Sequence, residues 1–270
     1  MNRLLEIQRC PACRKDLDRK DYPASHWNKP GRYCSSCHVS QQRRRTLRTK
    51  YGLTPEGVDA LVVRQNGRCY GCQKDLPANY VIDHDHASGV VRGLLCRPCN
   101  LTLGLVKDNQ AVLRRLMAYL ERDPTKQLVY LAGALKNGRI PLIGNALRAV
   151  GFDVMDEWWT PGKDADVNWQ HYETVRGRTF IEALRGRAAT NTFLFDKSYI
   201  DLCDTFVVVM PAGKSAMLEL GYAKGSGKPS YMLLDESHPE RYDVMPAASD
   251  DVFNTVDELI RKLQEGDSCV

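Results

Sequence analysis

Four Cys-x-x-Cys pairs constrain the fold of this chain more than any other feature. Each pair can present two thiolates to one ion from a single tight turn, and two pairs complete the tetrahedral set that Zn²⁺ prefers. Short paired spacings of this kind, without a recognisable secretory signal, favour zinc over disulfides. The sequence therefore predicts two structural zinc sites, one on Cys10, Cys13, Cys34 and Cys37 and the other on Cys69, Cys72, Cys96 and Cys99.

The first four cysteines define a predicted zinc ribbon with a basic linker, residues 1–50. Because so short a segment cannot bury enough apolar surface to fold alone, the metal must stabilise it. His38 follows the last of these cysteines, and four sulfurs already fill a tetrahedron. This favours a surface or phosphate-facing position for its imidazole. Cys203 and Cys269 lie outside the pairs, and we expect both to be unpaired and Cys203 to be buried.

The charge of the chain is divided unevenly. Residues 1–125 contain 22 Lys and Arg against 12 Asp and Glu, whereas residues 126–270 contain 16 against 21. The segment 41–50 alone carries five positive charges. Positive charge concentrated in one region favours contact with a polyanion. The alternative is that these residues only solvate the first half.

Turn signals and hydrophobic periodicity predict a compact domain over residues 51–123. Thr54 is a good N-cap, and the proline after it suits a first helical turn. Turn residues then separate two short apolar runs, which favours a hairpin whose base is clamped by the second cysteine set. The predicted elements are a helix from Thr54 to about Gln65, strands over 80–82 and 90–95, a helix from about Asn100 and a helix over 111–121.

The run Asp83–His86 lies inside this hairpin, and Asn100 directly follows the last cysteine. Cleavage of a phosphodiester with one metal needs a cation at the non-bridging and leaving oxygens, a base for water and an anchor for the phosphate. Asp83 and Asn100 offer oxygen ligands suited to Mg²⁺, with Mn²⁺ as a substitute. His84 suits the base because its unperturbed pKa is about 6.5. His86 is a candidate to contact the phosphate.

Some details of this run depend on the backbone. Strict alternation along a strand would place Asp83 and His84 on opposite faces, so the hypothesis requires the strand to end or bulge there. Asp85 is explained equally well as a carboxylate that stabilises the turn. Arg92, on the returning strand, is a second candidate to meet the phosphate.

Over about residues 50–122 the chain closely resembles the recombination endonuclease VII family of HNH nucleases. The resemblance implies an α+β domain with the ββα-metal (HNH, or His-Me finger) fold and structural zinc on the second cysteine set. It implies metal binding by Asp83 and Asn100, His84 as base, and DNA as the substrate. The preferred DNA structure and a homodimer are left open. The matching motifs are Tyr51-Gly52-Leu53-Thr54, Cys69-x-x-Cys72, Val81–His86, Val91–Cys96, Cys99-Asn100 and Leu103-Gly104-Leu105.

From Leu128 the pattern changes to strands that alternate with helices, over residues 127–265. This alternation predicts a parallel sheet covered by helices on both faces, which is a flavodoxin-like or Rossmann-like α/β domain. The predicted strands are 128–133, 152–154, 205–210 and 229–234, and the predicted helices are 141–150, 169–185, 197–202, 215–224 and 256–263.

A second candidate site lies where the strand 205–210 meets the next helix. Asp204 opens the strand, a loop with Gly213 follows it, and Glu219 lies near the start of the helix. Ligands of open α/β sheets bind at the carboxyl ends of strands, where loop amides can hold a phosphate or ribose. A carboxylate there could attack or stabilise an anomeric carbon. The plain alternative is that Glu219 only stabilises the amino end of a helix.

This region resembles the nucleoside 2-deoxyribosyltransferase family and its nucleotide N-glycosidase relatives, over about residues 127–265. The resemblance implies that Glu219 is the nucleophile that accepts a deoxyribosyl group, with Asp204 assisting. TIR-like NAD-cleaving domains share a related sheet and a catalytic glutamate, so transferase, hydrolase, NAD-cleaving enzyme and nucleotide sensor all stay open. The matching runs are Tyr130–Gly133 and Cys203–Ala223, and the candidate ligand contacts are Gly133, Gly213 and Ser215.

Two interpretations of the whole chain follow. In the first it is a metal-dependent DNA endonuclease, a hydrolase, that carries a nucleotide-processing or nucleotide-sensing domain. In the second it is a zinc-dependent DNA-binding protein whose carboxyl-terminal domain is the active part. No apolar run approaches the roughly 20 residues of a membrane span, and the amino terminus has no signal-peptide core. We therefore expect a cytoplasmic protein of a bacterial or phage-infected cell, with no membrane partner.

Overall fold

A computed structural model gives the structure of this chain and describes residues 7–235 and 244–266. The chain forms two compact units, Met1–Asp108 and Asn109–Val270. Cys269, predicted to be unpaired, lies outside the described residues. Within the described ranges no helix combines the length and the apolar character needed to cross a membrane.

The first unit begins with a small antiparallel hairpin that carries the first cysteine pair. After that pair the backbone turns back: the Arg14 amide donates to the Cys10 carbonyl at 2.8 Å, with Arg14 at φ 57°. The same turn recurs after the third pair, where the Gln73 amide donates to the Cys69 carbonyl at 2.9 Å with Gln73 at φ 59°. The hairpin strands are β1 (Ile7–Arg9) and β2 (Asp16–Asp18).

The segment predicted as a basic linker forms a helix, α1 (Ser35–Tyr51). Cys34 is its N-cap, and Gly52 ends it in the left-handed conformation at φ 64°, which glycine adopts without steric cost. Leu47 is the buried residue of the helix.

The helix after Thr54 starts as predicted, because the Thr54 hydroxyl accepts a hydrogen bond from the Gly57 amide at 3.1 Å. The predicted hairpin and the helix that follows it are also present, which confirms the ββα order. The last helix begins three residues before its predicted start, since Cys96 already serves as its N-cap. The elements are α2 (Pro55–Arg64), antiparallel β3 (Val81–His84) and β4 (Val91–Leu95), and α3 (Arg97–Leu105).

Gln65 ties this hairpin to the cysteine turns. Its side chain is buried, with Oε1 accepting from the Leu94 amide at 2.7 Å and Nε2 donating to the Leu94 carbonyl at 2.9 Å. Nε2 also donates to the Arg68 carbonyl at 2.8 Å. A buried amide whose bonds are all satisfied orders its surroundings. Gln65 thus serves β4 as a neighbouring strand would.

The second unit alternates helices and strands, which confirms the predicted α/β class. Its strands form a five-stranded parallel sheet in the order β6-β5-β7-β8-β9, which is the flavodoxin-like order. The elements are α4 (Gln110–Glu121), β5 (Leu128–Ala132), α5 (Ile140–Ala149), β6 (Asp153–Met155), α6 (Ala165–Val175), α7 (Phe180–Leu184), α8 (Arg187–Leu202), β7 (Thr205–Val209), α9 (Lys214–Gly225), β8 (Ser230–Leu233), β9 (Asp251–Phe253) and α10 (Val256–Gly266).

The central strands β5 and β7 are buried along their whole length, as continuous apolar strands of a parallel sheet should be. One face of the sheet packs Tyr130 and Phe206 against α8 and α9. The other face packs Leu131 and Val207 against α5 and α10, through side chains such as Ile143 and Leu259. The sheet is therefore covered on both sides, and its carboxyl edge is left to the loops.

Three elements of the second unit differ clearly from the sequence predictions. The helix expected over 169–185 is two helices, α6 and α7, because Gly177 adopts φ 68° between them. Helix α8 begins ten residues before its predicted start. Strand β9 has no counterpart in the prediction, since three residues at a sheet edge carry too short a pattern to detect.

Helix α4, predicted as the last helix of the nuclease-like domain, packs against α8 within the second unit. Arg114 Nη2 donates to Asn191 Oδ1 at 2.8 Å, and Arg115 Nη1 donates to Asp201 Oδ2 at 3.2 Å. The domain boundaries 1–50, 51–123 and 127–265 stay predictions.

Candidate functional site

The two predicted cysteine sets each form a compact cluster. Within each set the four sulfur atoms lie within 4.8 Å of one another, close enough to share one ion. In the second cluster the backbone leaves room for the sulfurs, because a Cβ on Gly71 would lie 2.8 Å from Cys99 Sγ. The Cys96 amide donates to Cys69 Sγ at 3.2 Å. Both clusters could therefore hold structural zinc.

The ionisation of these thiols also fits a cation. Burial opposes ionisation of Cys69, but the amides of Cys96, Cys72 and Gly71 outweigh it and lower the pKa of Cys69 to about 6. Hydrogen bonding to Cys96, together with burial, raises the pKa of Cys99 to about 12. Four thiolates cannot accumulate in so small a volume without a positive ion, and a tetrahedral sulfur set suits zinc. The first cluster behaves alike, with pKa values of about 6 at Cys10 and about 12 at Cys37.

The irregularity that the hypothesis required is present in the hairpin. Asp83 pairs with Gly93, whereas His84 pairs with Val91, so the register shifts by one residue between them. Arg92 is the extra residue on β4. A bulge of this kind twists the strands and redirects side chains, and such bulges are common beside active sites.

The bulge opens onto a cavity of about 220 Å³ that gathers the predicted nuclease residues. Asp83, His84, His86 and Asn100 all line it. The structure therefore brings together four residues from β3, from the turn that follows it and from α3. The cavity is completed by side chains and backbone of Lys50, Tyr51, Val81, Ile82, Leu103, Gly104 and Asp108.

Arg92 is held between Asp83 and Asp108, two carboxylates that line this cavity. Its Nε and Nη2 donate to Asp83 Oδ2 and Oδ1 at 2.7 Å and 3.0 Å, and Nη2 also donates to Asp108 Oδ1 at 3.2 Å. These hydrogen bonds, that to Asp83 above all, raise the pKa of the guanidinium. Asp83 is buried, so a bidentate arginine is the partner that its charge requires.

Asp108 is a residue of this site that sequence reasoning missed. Its Oδ2 lies 3.0 Å from His86 Nδ1, and its hydrogen bonds to His86 and then Arg92 lower the pKa of the carboxyl. Lys107 and Asp108 both adopt left-handed backbone conformations, at φ 54° and 55°, and these turn the chain back toward the cavity after α3. An aspartate in a polar run after a helix carries no sequence signal of this kind.

The remaining side chains of the run have separate environments. The His84 ring lies edge-on to Tyr51, with centroids 5.5 Å apart, and 5.1 Å from the His86 ring. Asp85 Oδ1 accepts from the amides of Ala87 and Ser88 at 3.0 Å and 2.7 Å. The Ser88 amide and hydroxyl hold the pKa of Asp85 below its usual range. The geometry of Asp85 is thus that of a turn-stabilising carboxylate.

Residues 42–122 match the family described as recombination endonuclease VII. Two phage proteins are similar over 110 residues, which cover 37% of this chain and 67% of each phage protein. The Gene 59 protein of Mycobacterium phage D29 is 36% identical, and that of Mycobacterium phage L5 is 34% identical. This chain belongs to the recombination endonuclease VII family.

The endonuclease VII match ends at residue 122, before the parallel sheet. A solved structure, that of a CMP N-glycosidase from Clostridium botulinum, is similar over 51% of this chain and 99% of its own. Its sequence identity is 20% and its TM-score is 0.31. At that level the similarity does not bear on what the second unit does.

In the second unit of this endonuclease VII-family chain, the three predicted ligand contacts lie at the carboxyl edge of the sheet. Gly133 follows β5, while Gly213 and Ser215 follow the neighbouring strand β7. A Cβ on Gly133 would lie 2.7 Å from Ile140 Cδ1 and 3.3 Å from the Val209 carbonyl. The close approach of the Ile140 side chain and the Val209 backbone is therefore enough to explain this glycine.

Asp204 lies at the start of β7, where the sequence predicted it. Its Oδ2 accepts from the Leu128 amide at 2.8 Å and from Arg122 Nη2 at 3.1 Å, so it lies where β5 and β7 begin. The loop with Gly213 follows the opposite, carboxyl edge. Asp204 therefore joins the starts of two parallel strands, and its role beside Glu219 stays a prediction.

The negative charge of Asp196 on α8 affects the ionisation of Glu219 on α9. Burial, reinforced by the charge of Asp196, raises the pKa of Glu219 to about 7. Burial alone raises the pKa of Asp196 to about 6, and its Oδ1 has no hydrogen-bond partner among the described residues. Both lie close enough to Tyr130 for their charges to add to the effect of burial in raising its pKa.

Asp196 was missed because residues 186–196 fall between two predicted helices. A signal was present: the acidic side chain follows three apolar residues, 193–195, in what proves to be one helix. An acid so placed must either reach solvent or be buried with a partner. Pairs of carboxylates whose environments raise their pKa values are common at functional sites.

Proposed function

We propose that the first unit is a metal-dependent DNA endonuclease that hydrolyses phosphodiester bonds. The observation that supports this most strongly is the cavity in which Asp83, His84, His86 and Asn100 meet beside the second cysteine cluster. Membership of the endonuclease VII family adds DNA as the expected substrate.

The proposed roles follow from the chemistry of each side chain. Asp83 and Asn100 would hold Mg²⁺, or Mn²⁺ in its place, and the ion would stabilise negative charge on the phosphate and on the leaving oxygen. His84 removes a proton from the attacking water. His86, fixed by Asp108, faces the phosphate. Zinc on the second cysteine cluster would keep Asn100 and the base of the hairpin at a constant separation.

Arg92 has a double role in this proposal. A guanidinium and a metal ion compete for the same oxygens, and Arg92 occupies both oxygens of Asp83. We expect Arg92 to keep its bond to Asp108 when Asp83 takes up the cation. Its remaining donors are then available to a phosphate, the anion that a planar guanidinium binds best.

Cleavage of supercoiled plasmid tests the nuclease assignment. We expect nicked and linear products with Mg²⁺ or Mn²⁺ and none with EDTA. Binding of the same plasmid without cleavage, under every divalent metal, would reject the endonuclease. It would instead favour a zinc-dependent DNA-binding protein whose nuclease residues are idle.

The carboxylates of the second unit favour an additional function, cleavage of an N-glycosidic bond in a nucleoside or nucleotide. In this proposal Glu219 attacks the anomeric carbon, a new C–O bond forms, and the base leaves with the electron pair of the broken C–N bond. Water or a second base then releases the sugar. The support is the pairing of Glu219 with Asp196 under partial burial. Nucleotide sensing and NAD cleavage are the alternatives.

For this function we expect Glu219→Gln to abolish release of free base from deoxynucleotides. The nucleophile must be ionised and its pKa is about 7, so kcat/KM should rise as the pH is raised through about 7. Chromatography of the free base measures this, with the exposed Glu265→Gln as a control that keeps full activity. If free base were released from NAD alone, the second unit would be a NAD-cleaving enzyme. If nucleotides bound without release of base, it would be a nucleotide sensor.

The same substitution has a readout that does not depend on catalysis. The folded-state pKa of Glu219 lies above the ordinary glutamate value of 4.5, so its protonated form stabilises the fold at low pH. That stabilisation is lost as the pH rises through about 7. We expect Glu219→Gln to raise the melting temperature of the second unit at pH 8 but not at pH 4.

A further inference from the structure

Helix α1 lies in a part of the chain that has no acidic residue. Between Asp21 and Glu56 there is no aspartate or glutamate, while seven lysines and arginines occur. The five cations of α1 are all exposed, and no ion pair within the described residues involves any of them. They are Arg43, Arg44, Arg45, Arg48 and Lys50.

Such a helix carries an electrostatic cost. Like charges at i, i+3 and i, i+4 destabilise a helix, and Arg44, Arg45 and Arg48 form two such pairs. Opposite charges at those spacings would remove the cost, and α1 contains none. An external polyanion that neutralises several of these cations at once would remove the repulsion and release its own counterions.

Helix α1 is anchored near both of its ends within the first unit. At its start Cys34 and Cys37 belong to the first cysteine cluster, and near its end Leu47 is buried at 4% exposure. Its last two residues, Lys50 and Tyr51, line the cavity that holds His84. The cations therefore stand on a rigid element that leads directly into the proposed cleavage site.

Helical geometry decides which cations lie on the same side of α1 as Lys50. Each residue advances about 100° around the axis, so Arg43 lies within about 40° of Leu47 and about 20° of Lys50. Arg45 lies about 160° from Leu47, on the opposite side. Arg43 is also about 10 Å from Lys50 along the axis, which spans several phosphates of a strand.

We propose that the exposed side of α1 that carries Arg43 and Lys50 is a track for the sugar–phosphate backbone of duplex DNA, leading the scissile strand into the His84 cavity. This rests on the proposed nuclease function and specifies the surface that the substrate contacts. Phosphate contacts of this kind position a duplex without reading its sequence. The track is therefore expected to act equally on DNA of any sequence.

The test compares Arg43→Gln with Arg45→Gln in a His84→Ala background, so that binding is measured without cleavage. Both changes remove one exposed charge from the same helix, two residues apart. Binding to a 20-base-pair fluorescent duplex is followed by anisotropy across a salt series. We expect Arg43→Gln to weaken binding about threefold to tenfold and to lower the slope of log K against log salt by about 1. Arg45→Gln should change both quantities much less.

Equal losses in the two variants would overturn the assignment of this face, since they would indicate a diffuse effect of net charge. Parent-like binding of Arg43→Gln would overturn it as well. Failure of the nuclease proposal gives a different result. In that case Arg43→Gln would still weaken DNA binding, but the protein with His84 intact would not cut plasmid. Circular dichroism melting verifies that each exposed Arg→Gln variant is folded.

Discussion

Replacing His84 by alanine is expected to abolish DNA cleavage, with a fall in rate of roughly 10²–10⁴-fold, the range that a general base contributes. The imidazole lines the same cavity as Asp83 and Asn100. Its neighbours are the rings of Tyr51 and His86, and no hydrogen bond to its side chain occurs in the described part of the chain. Because the fold does not depend on a bond to this ring, metal content and melting temperature should be unchanged.

Plasmid cleavage at saturating Mg²⁺, with metal analysis of the same sample, measures both parts of this prediction. His171→Ala is the matched control, since His171 is an exposed histidine on α6 of the second unit. It should cleave at the parent rate. Residual cleavage by His84→Ala above a few per cent would reject His84 as the base and direct attention to His86.

Cys69→Ser is expected to unfold the nuclease-like domain around the second cysteine cluster, not merely to weaken it. Cys69 is fully buried, and its sulfur accepts the Cys96 amide that positions the start of α3. Structural zinc sites contribute roughly 10–16 kcal/mol of apparent binding energy. That is comparable to the whole stability of a domain, about 5–15 kcal/mol. Loss of one ligand should remove one of the two metal ions that we expect the parent protein to bind.

Native mass spectrometry and calorimetry measure this outcome. Cys203→Ser is the control: its sulfur is equally buried but bonds to the Ile200 carbonyl at 3.2 Å, in the second unit and outside both clusters. This variant should retain two metal ions, whatever its effect on melting of the second unit. If Cys69→Ser retained two ions and melted as the parent does, the cysteine cluster would not be a structural metal site.

Local chemistry in the sequence was enough to predict the parts of the protein that depend on spacing. Two residues between cysteines allow one turn to present both sulfurs, and the predicted sets are the ones that cluster. The alternation of apolar strands with helices likewise predicted a parallel sheet, because only such a sheet buries strands on both faces. Asp83, His84, His86 and Asn100 were predicted as one site, and these four residues line one cavity.

Contacts between residues distant in sequence decided the rest. The bulge at Arg92 arises from pairing between two strands, so no pattern within one strand reveals it. Asp108 reaches the cavity through two left-handed residues, and Asp196 meets Glu219 only because α8 and α9 cover the same face of the sheet. Asp204 stands beside a strand in the sequence but belongs to the opposite edge of the sheet from Gly213. The spacing of residues along the chain determines local turns and the helical or strand periodicity. Which separate elements approach one another depends on how their side chains pack, and only the folded structure shows this.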